Sequence, residues 1–214
     1  MKIKILAAGI TFAILAALSV AGFYIYKSLN QPIIPAELPA ELPEEENPPA
    51  GGEEVSEEVL KEIKLLKDDF EITLPPGWQE ETNSYEGILL LAIDSKEDVS
   101  DGIFQKLDFR TSLSIKSDDI TKYAGVSSFE DYVASIKTSL VQVVPGIKFV
   151  KEEGNILECE STQEDADFKT LLVFIEGNDS TVYALSFNTF MDSWPAYKSL
   201  FYWMADSFKL RYNI

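Results

Sequence analysis

The folded part of this chain is predicted to be α+β, an antiparallel sheet with a four-strand meander covered by helices. Three observations lead there. Phe70, Ile72 and Leu74 alternate with Glu71 and Thr73 and are halted by Pro75-Pro76-Gly77, the pattern of a half-buried strand that ends in a turn. Four later apolar runs are separated by polar connections too short for helical crossovers. Two stretches, 127–143 and 192–208, repeat apolar residues at spacings of three and four, the stripe of a helix packed on one side. What precedes them is not globular in composition. The chain divides into a transmembrane anchor (1–30), a disordered Pro/Glu-rich stalk (31–58) and one globular domain (59–214).

Residues 5–26 form an uncharged run of 22 residues between Lys2 and Lys4 on one side and Lys27 on the other. As a helix the run measures about 33 Å, close to the roughly 30 Å of bilayer hydrocarbon. Phe23, Tyr24 and Tyr26 sit where an interfacial aromatic belt belongs. The run is therefore expected to be a single-pass membrane helix. Lys2, Lys4 and the terminal amine place the N-terminus in the cytoplasm and the remainder outside it. The alternative is a cleaved signal peptide, with small residues at Ser19-Val20-Ala21, which leaves a secreted domain. Residues 31–58 carry nine Glu, six Pro and no base. Fixed φ and mutual repulsion keep such a segment extended and coreless.

Residues 59–68 fit a short helix or an edge strand equally well. Past the turn that follows 70–74, Trp78 is expected to fold back as a plug on the sheet, since its apolar area is costly to leave in water. The unbroken apolar run 87–93 predicts a central strand covered on both faces, and Leu107, Phe109, Leu113 and Ile115 predict a long strand with one wet face. Ser127-Ser128-Phe129-Glu130 reads as a capping box that starts the middle helix, and Pro145-Gly146 stops it. The runs 147–151, 156–161, 168–176 and 181–188 make the meander. A last helix, capped by Asp192 or Ser193 with Pro195 in its first turn, buries Tyr197, Leu200, Phe201, Met204 and Phe208.

A strand ending in Pro-x-Gly-Trp at 75–78, the middle helix, the meander and a terminal helix closing on Ser207-Phe208-Lys209-Leu210 resemble the PsbP-like superfamily. That group includes the extrinsic PsbP protein of photosystem II and a Ran-binding nuclear import factor. The resemblance spans residues 65–212 and implies an antiparallel sheet covered by helices. It also implies a binding or accessory role without catalysis, and no catalytic motif is carried over by it.

Composition narrows the function. The chain has 36 acidic and 18 basic residues, and no His. Phosphate contacts need clustered Lys and Arg, so nucleic acid is not an expected partner. The commonest general base and metal ligand is missing, and with it every Ser-His or Cys-His arrangement. Cys159, the one cysteine, lies in an apolar strand and reads as a small hydrophobe. Asp94, Glu97, Asp98 and Asp101 offer hard oxygen ligands on one loop, which suits Ca²⁺, although their spacing is not that of an EF-hand. No other cofactor is indicated. Glu158, Glu160, Glu164, Asp165 and Asp167 form a second acidic group, read as a charged edge against strand pairing or a docking surface for a basic protein partner. Tyr202 and Trp203 fall off the buried stripe of the last helix and are the candidate partner-binding aromatics. The functional expectation is a membrane-anchored, extracytoplasmic binding or accessory module. A carboxylate-dependent hydrolase is the alternative from another class.

Overall fold

The computed structural model describes residues 62–82, 87–98, 107, 109–163 and 165–211. The expected anchor and stalk lie outside them. Among the described residues no helix is long and apolar enough to cross a membrane.

Among the described residues ten strands form two antiparallel sheets, and two α-helices are complete. The chain order is β1 (Ile63–Leu66), β2 (Phe70–Leu74), β3 (Trp78–Glu80), β4 (Ile88–Asp94), β5 (Ser112–Asp119), α1 (Phe129–Val143), β6 (Lys148–Glu153), β7 (Ile156–Gln163), β8 (Ala166–Glu176), β9 (Thr181–Phe190), α2 (Trp194–Ser207) and β10 (Lys209–Leu210). The large sheet runs β3-β4-β5-β9-β8-β7-β6, and the small one β1-β2-β10. The α+β class and the meander β6 to β9 are as predicted.

Helix α2 and the small sheet share one face of the large sheet. Their core gathers Phe70, Ile72 and Leu74 with Leu113, Leu185, Phe187, Phe201 and Met204. Helix α1 covers the other face, where Tyr132, Ile136 and Leu140 meet Leu157, Leu172 and Phe174. A third cluster joins Leu107 and Phe109 to Ala166, Phe168 and Phe190.

The 70–78 stretch behaves as its pattern dictates. Phe70, Ile72 and Leu74 are buried, and Trp78 is 2% exposed. The turn is closed by the Trp78 amide donating to the Pro75 carbonyl at 3.1 Å. Gly77 has φ of +94°, a conformation that disfavours a side chain, and an added Cβ would lie 2.7 Å from the Lys96 side chain. The turn moves the chain from the small sheet to the edge of the large one, so Trp78 plugs a different sheet from the strand before it. Its ring meets Phe201 edge-on at 6.3 Å.

Four expectations are corrected. Strand β4 lies one place from the edge and is covered on one face only: Leu90 and Ala92 are buried while Leu89 is 37% exposed. Strand β5 starts at Ser112, leaving Leu107 and Phe109 outside it, and Leu113, Ser114, Ile115 and Lys116 are all buried because helices cover both faces. Helix α1 is capped by Ser128 rather than Ser127: the Ser128 hydroxyl accepts from the Asp131 amide, and the Asp131 carboxylate accepts from the Ser127 amide and hydroxyl. The box is therefore reciprocal but one residue along, with Asp in place of Glu. At α2, Ser193 holds the cap position with no side-chain hydrogen bond. The ambiguous 59–68 stretch contributes edge strand β1.

Trp78→Ala is expected to cost about 3–5 kcal/mol in denaturant unfolding, because the cavity it leaves is bounded by a helix and two strands that cannot collapse onto it. A loss below about 1 kcal/mol would place Trp78 outside the core. Ser128→Ala is expected to cost about 1 kcal/mol, measured in the same way.

Candidate interaction surface

Strand β7 alternates Leu157 and Cys159 with Glu158 and Glu160. The apolar pair faces α1, so the pleat sends the acids to the face that α2 covers. Glu158 is only 4% exposed. A buried carboxylate needs partners, and three reach it. The Tyr202 hydroxyl donates to Glu158 Oε1 at 2.8 Å, Lys198 Nζ is 3.3 Å away and Lys169 Nζ 3.8 Å. Lys169, buried on β8, also pairs with its cross-strand neighbour Glu160 at 2.9 Å. Lys151 of edge strand β6 donates to the Tyr202 hydroxyl at 3.2 Å and pairs with Glu153 at 3.1 Å.

Aromatic rings close the cluster. Lys169 and Lys198 lie 5.3 and 5.8 Å from the Trp194 ring centre, and Lys151 lies 5.0 Å from that of Tyr202. Three lysines thus balance Glu153, Glu158 and Glu160 beside the open side of α2. The expectation of a charged edge at Glu158 and Glu160 is corrected, since both acids are neutralised within the fold and β6, not β7, is the edge strand. Asp167 accepts from the Thr162 hydroxyl at 2.6 Å, Asp165 occupies a left-handed turn at φ of 67°, and Glu164 lies outside the described residues.

The structure places the two candidate aromatics differently. Tyr202 faces the charge cluster and is half-buried, with burial and the Glu158 carboxylate raising its pKa against the opposing effect of Lys151. Trp203, one residue on, points away from the core and is 37% exposed. It is the exposed aromatic of α2. Lys169, Lys198 and Trp194 were missed in the sequence, although Lys169 sits two and four residues before Leu171 and Val173 on one buried face of β8, a position where a charge requires a partner.

The acidic loop after β4 is tied into the fold. Asp94 accepts from the Tyr197 hydroxyl at 2.8 Å and the Lys96 amide at 3.0 Å. Glu97 accepts from the Thr111 amide and from its hydroxyl, the latter at 2.7 Å. Burial raises the Glu97 pKa, with Asp94 adding to the rise and the Thr111 bonds opposing it. Arg110 clamps the loop through the carbonyls of Ser95 and Glu97 at 3.3 and 3.0 Å. Asp98 is described and Asp101 is not. Among the described residues no three acidic, Cys or His side chains gather as a metal site.

No family model matches the chain, and no curated protein is similar to it. Solved structures are similar. Cyanobacterial PsbP from Synechocystis sp. PCC 6803 matches at 18% identity and a TM-score of 0.44, covering 76% of this chain and 98% of that one. The Ran-binding protein Mog1p of Saccharomyces cerevisiae matches at 9% identity and 0.49, over 71% and 96%. LpqN of Mycobacterium tuberculosis, involved in cell envelope biogenesis, matches at 10% and 0.45, over 72% and 92%. Each is a similarity of structure at 18% sequence identity or less.

The charge cluster has a measurable asymmetry. Lys169→Met, which leaves buried Glu158 with one cation fewer and takes the lysine from the partly exposed Glu160, is expected to cost about 3 kcal/mol in chemical denaturation. Lys198→Met, at a half-exposed position, is expected to cost about 1 kcal/mol or less. Cys159 lies against α1, and burial pushes its thiol pKa up to about 12, with Lys169 partly opposing. A thiol reagent at pH 8 is expected to label native Cys159 only on the timescale of unfolding and to label it at once in denaturant.

Proposed function

We propose that this protein is a membrane-anchored, extracytoplasmic binding or accessory module. Residues 5–26 are its single-pass anchor, 31–58 its spacer and 59–214 its displayed domain. The observation that carries the reading is the order of the N-terminal segments: an uncharged run of membrane-spanning length between lysines, followed at once by 28 residues with nine Glu and no base.

The displayed domain fits a protein partner better than a small substrate. Its outward aromatic, Trp203, stands beside Tyr202 and a lysine cluster whose charges are internally balanced, so a partner would meet an aromatic anchor with little net charge beneath it. The wider surface is acidic, with 27 acids against 15 bases after residue 58, which favours a basic partner.

Alkaline extraction of membranes, protease protection and N-terminal sequencing test the anchoring together. The full chain is expected in the membrane pellet with an intact N-terminus and a domain cleavable only from the extracytoplasmic side. A soluble protein beginning at Gly22 would overturn the anchor. For the surface, Trp203→Ala is expected to leave unfolding unchanged within about 0.5 kcal/mol while weakening partner capture from solubilised membranes at least tenfold. Equal capture by both forms would remove α2 as the contact.

A further inference from the structure

Strands β8 and β9 are joined by the tip Gly177-Asn178-Asp179-Ser180. Asn178-Asp179-Ser180 has the Asn-x-Ser form of an N-glycosylation acceptor, in which the asparagine amide takes the sugar and the hydroxyl two residues on is read by the transferase. No other asparagine in residues 1–210 is followed two places later by Ser or Thr. Glu176 stands two places before Asn178, which completes the longer acid-x-Asn-x-Ser form of the same motif.

The tip meets the structural condition for such an acceptor, which is a surface loop. Asn178, Asp179 and Ser180 are all exposed, as is Glu176. The turn is closed through the main chain: the Gly177 amide donates to the Thr181 carbonyl at 2.8 Å, the Thr181 amide to the Asn178 carbonyl at 2.9 Å, and the Ile120 amide to the Ser180 carbonyl at 2.9 Å. Among the described residues the Asn178 side chain makes no hydrogen bond. A bulky, solvated glycan on its Nδ2 therefore displaces nothing that holds the hairpin.

Turn chemistry accounts for part of this sequence and not for the motif. Asp179 and Ser180 have φ of 50° and 64°, the left-handed region that Gly and Asn enter most easily. Asn178 has no positive φ, so the backbone does not require its side chain. Ser180 does, and glycine would sit there with less strain. A hydroxyl placed where glycine fits better points to a use for the hydroxyl.

We propose that Asn178 is N-glycosylated. The step joins Asn178 Nδ2 to the anomeric carbon of an oligosaccharide carried on a polyprenyl pyrophosphate. The N–C bond forms, the bond from that carbon to the pyrophosphate oxygen breaks, the pyrophosphate lipid leaves, and the amide gives up one proton to a base of the transferase. Neither partner is oxidised or reduced. The inference rests on the extracytoplasmic reading, because the lipid-linked donor is used on that side of the membrane.

The full chain, expressed in its own host and purified from membranes, is digested with trypsin, which releases Asn178 in the peptide 170–198. Mass spectrometry is expected to find most of that peptide with an added sugar mass that fragmentation localises to Asn178. Asn178→Gln and Ser180→Ala are each expected to abolish it, the second with the acceptor nitrogen still in place. Retention of the sugar in Ser180→Ala would overturn the inference. As a control for access to the transferase, Gly52→Glu with Glu54→Asn writes the same acid-x-Asn-x-Ser pattern into the stalk, ending on Ser56. A modified stalk with an unmodified peptide 170–198 would overturn the inference and leave the extracytoplasmic reading in place. If both are unmodified the inference also falls, and protease protection then separates a displayed chain that meets no transferase from one never exported, for which the extracytoplasmic reading falls with it.

Discussion

Phe201 holds this structure together. Its ring is fully buried and meets four others: Trp78 at 6.3 Å, Phe187 at 5.1 Å, Trp194 at 5.9 Å and Tyr197 at 5.6 Å. These rings come from β3, β9 and α2, so one side chain fixes how the helix lies on the sheet. Aromatic pairs add about 0.5–1.5 kcal/mol each beyond their area, and they are geometrically selective. With α2 so placed, Ser207 at its end can accept from the Thr73 amide at 3.0 Å, and β10 can pair with β2, joining residues more than 130 apart in the chain. Phe70 stacks on Phe208 across that joint at 5.1 Å.

The placement of α2 also determines the chemistry of the faces. By covering Glu158 it obliges Lys169, Lys198 and Tyr202 to converge there, and the resulting balance of charge leaves Trp203 as the outward feature of the helix. On the opposite face α1 is carried by Tyr132, Ile136 and Leu140, over a floor that keeps a polar stripe ending in Lys116. The two faces treat a buried lysine in opposite ways. Lys169 has two carboxylates within 4 Å, whereas the acid on the strand beside Lys116 is held by tyrosine hydroxyls.

Much of the fold was legible because the decisive signals are local. Alternation at 70–74, the Pro-Pro-Gly stop, the short turns of the meander and the apolar stripes of both helices act within a few residues. The misreadings share one cause. Periodicity cannot tell whether a second layer covers a strand, so β5 was expected to have a wet face and β4 two dry ones, and the coverage is the reverse. The capping box slipped by one residue because adjacent serines offer two equivalent hydroxyls, and only the Asp131 carboxylate distinguishes them. Of the candidate residues, Trp203 was legible as an aromatic off the buried stripe, while the charge cluster beneath Tyr202 was not.

By itself the sequence determined the strands and stops, the two amphipathic helices and the absence of histidine chemistry, because each rests on residue type and near spacing. The tertiary structure alone decided that the 70–74 strand and the tryptophan after it belong to different sheets. It alone decided which charges go inside. Glu158, Lys169 and Lys116 look in sequence like the solvated charges around them, and a charge's cost in the interior depends on partners contributed by distant strands and a helix. The Pro75-Pro76-Gly77 turn was readable from three residues; what Trp78 plugs was settled by Phe201, more than a hundred residues away.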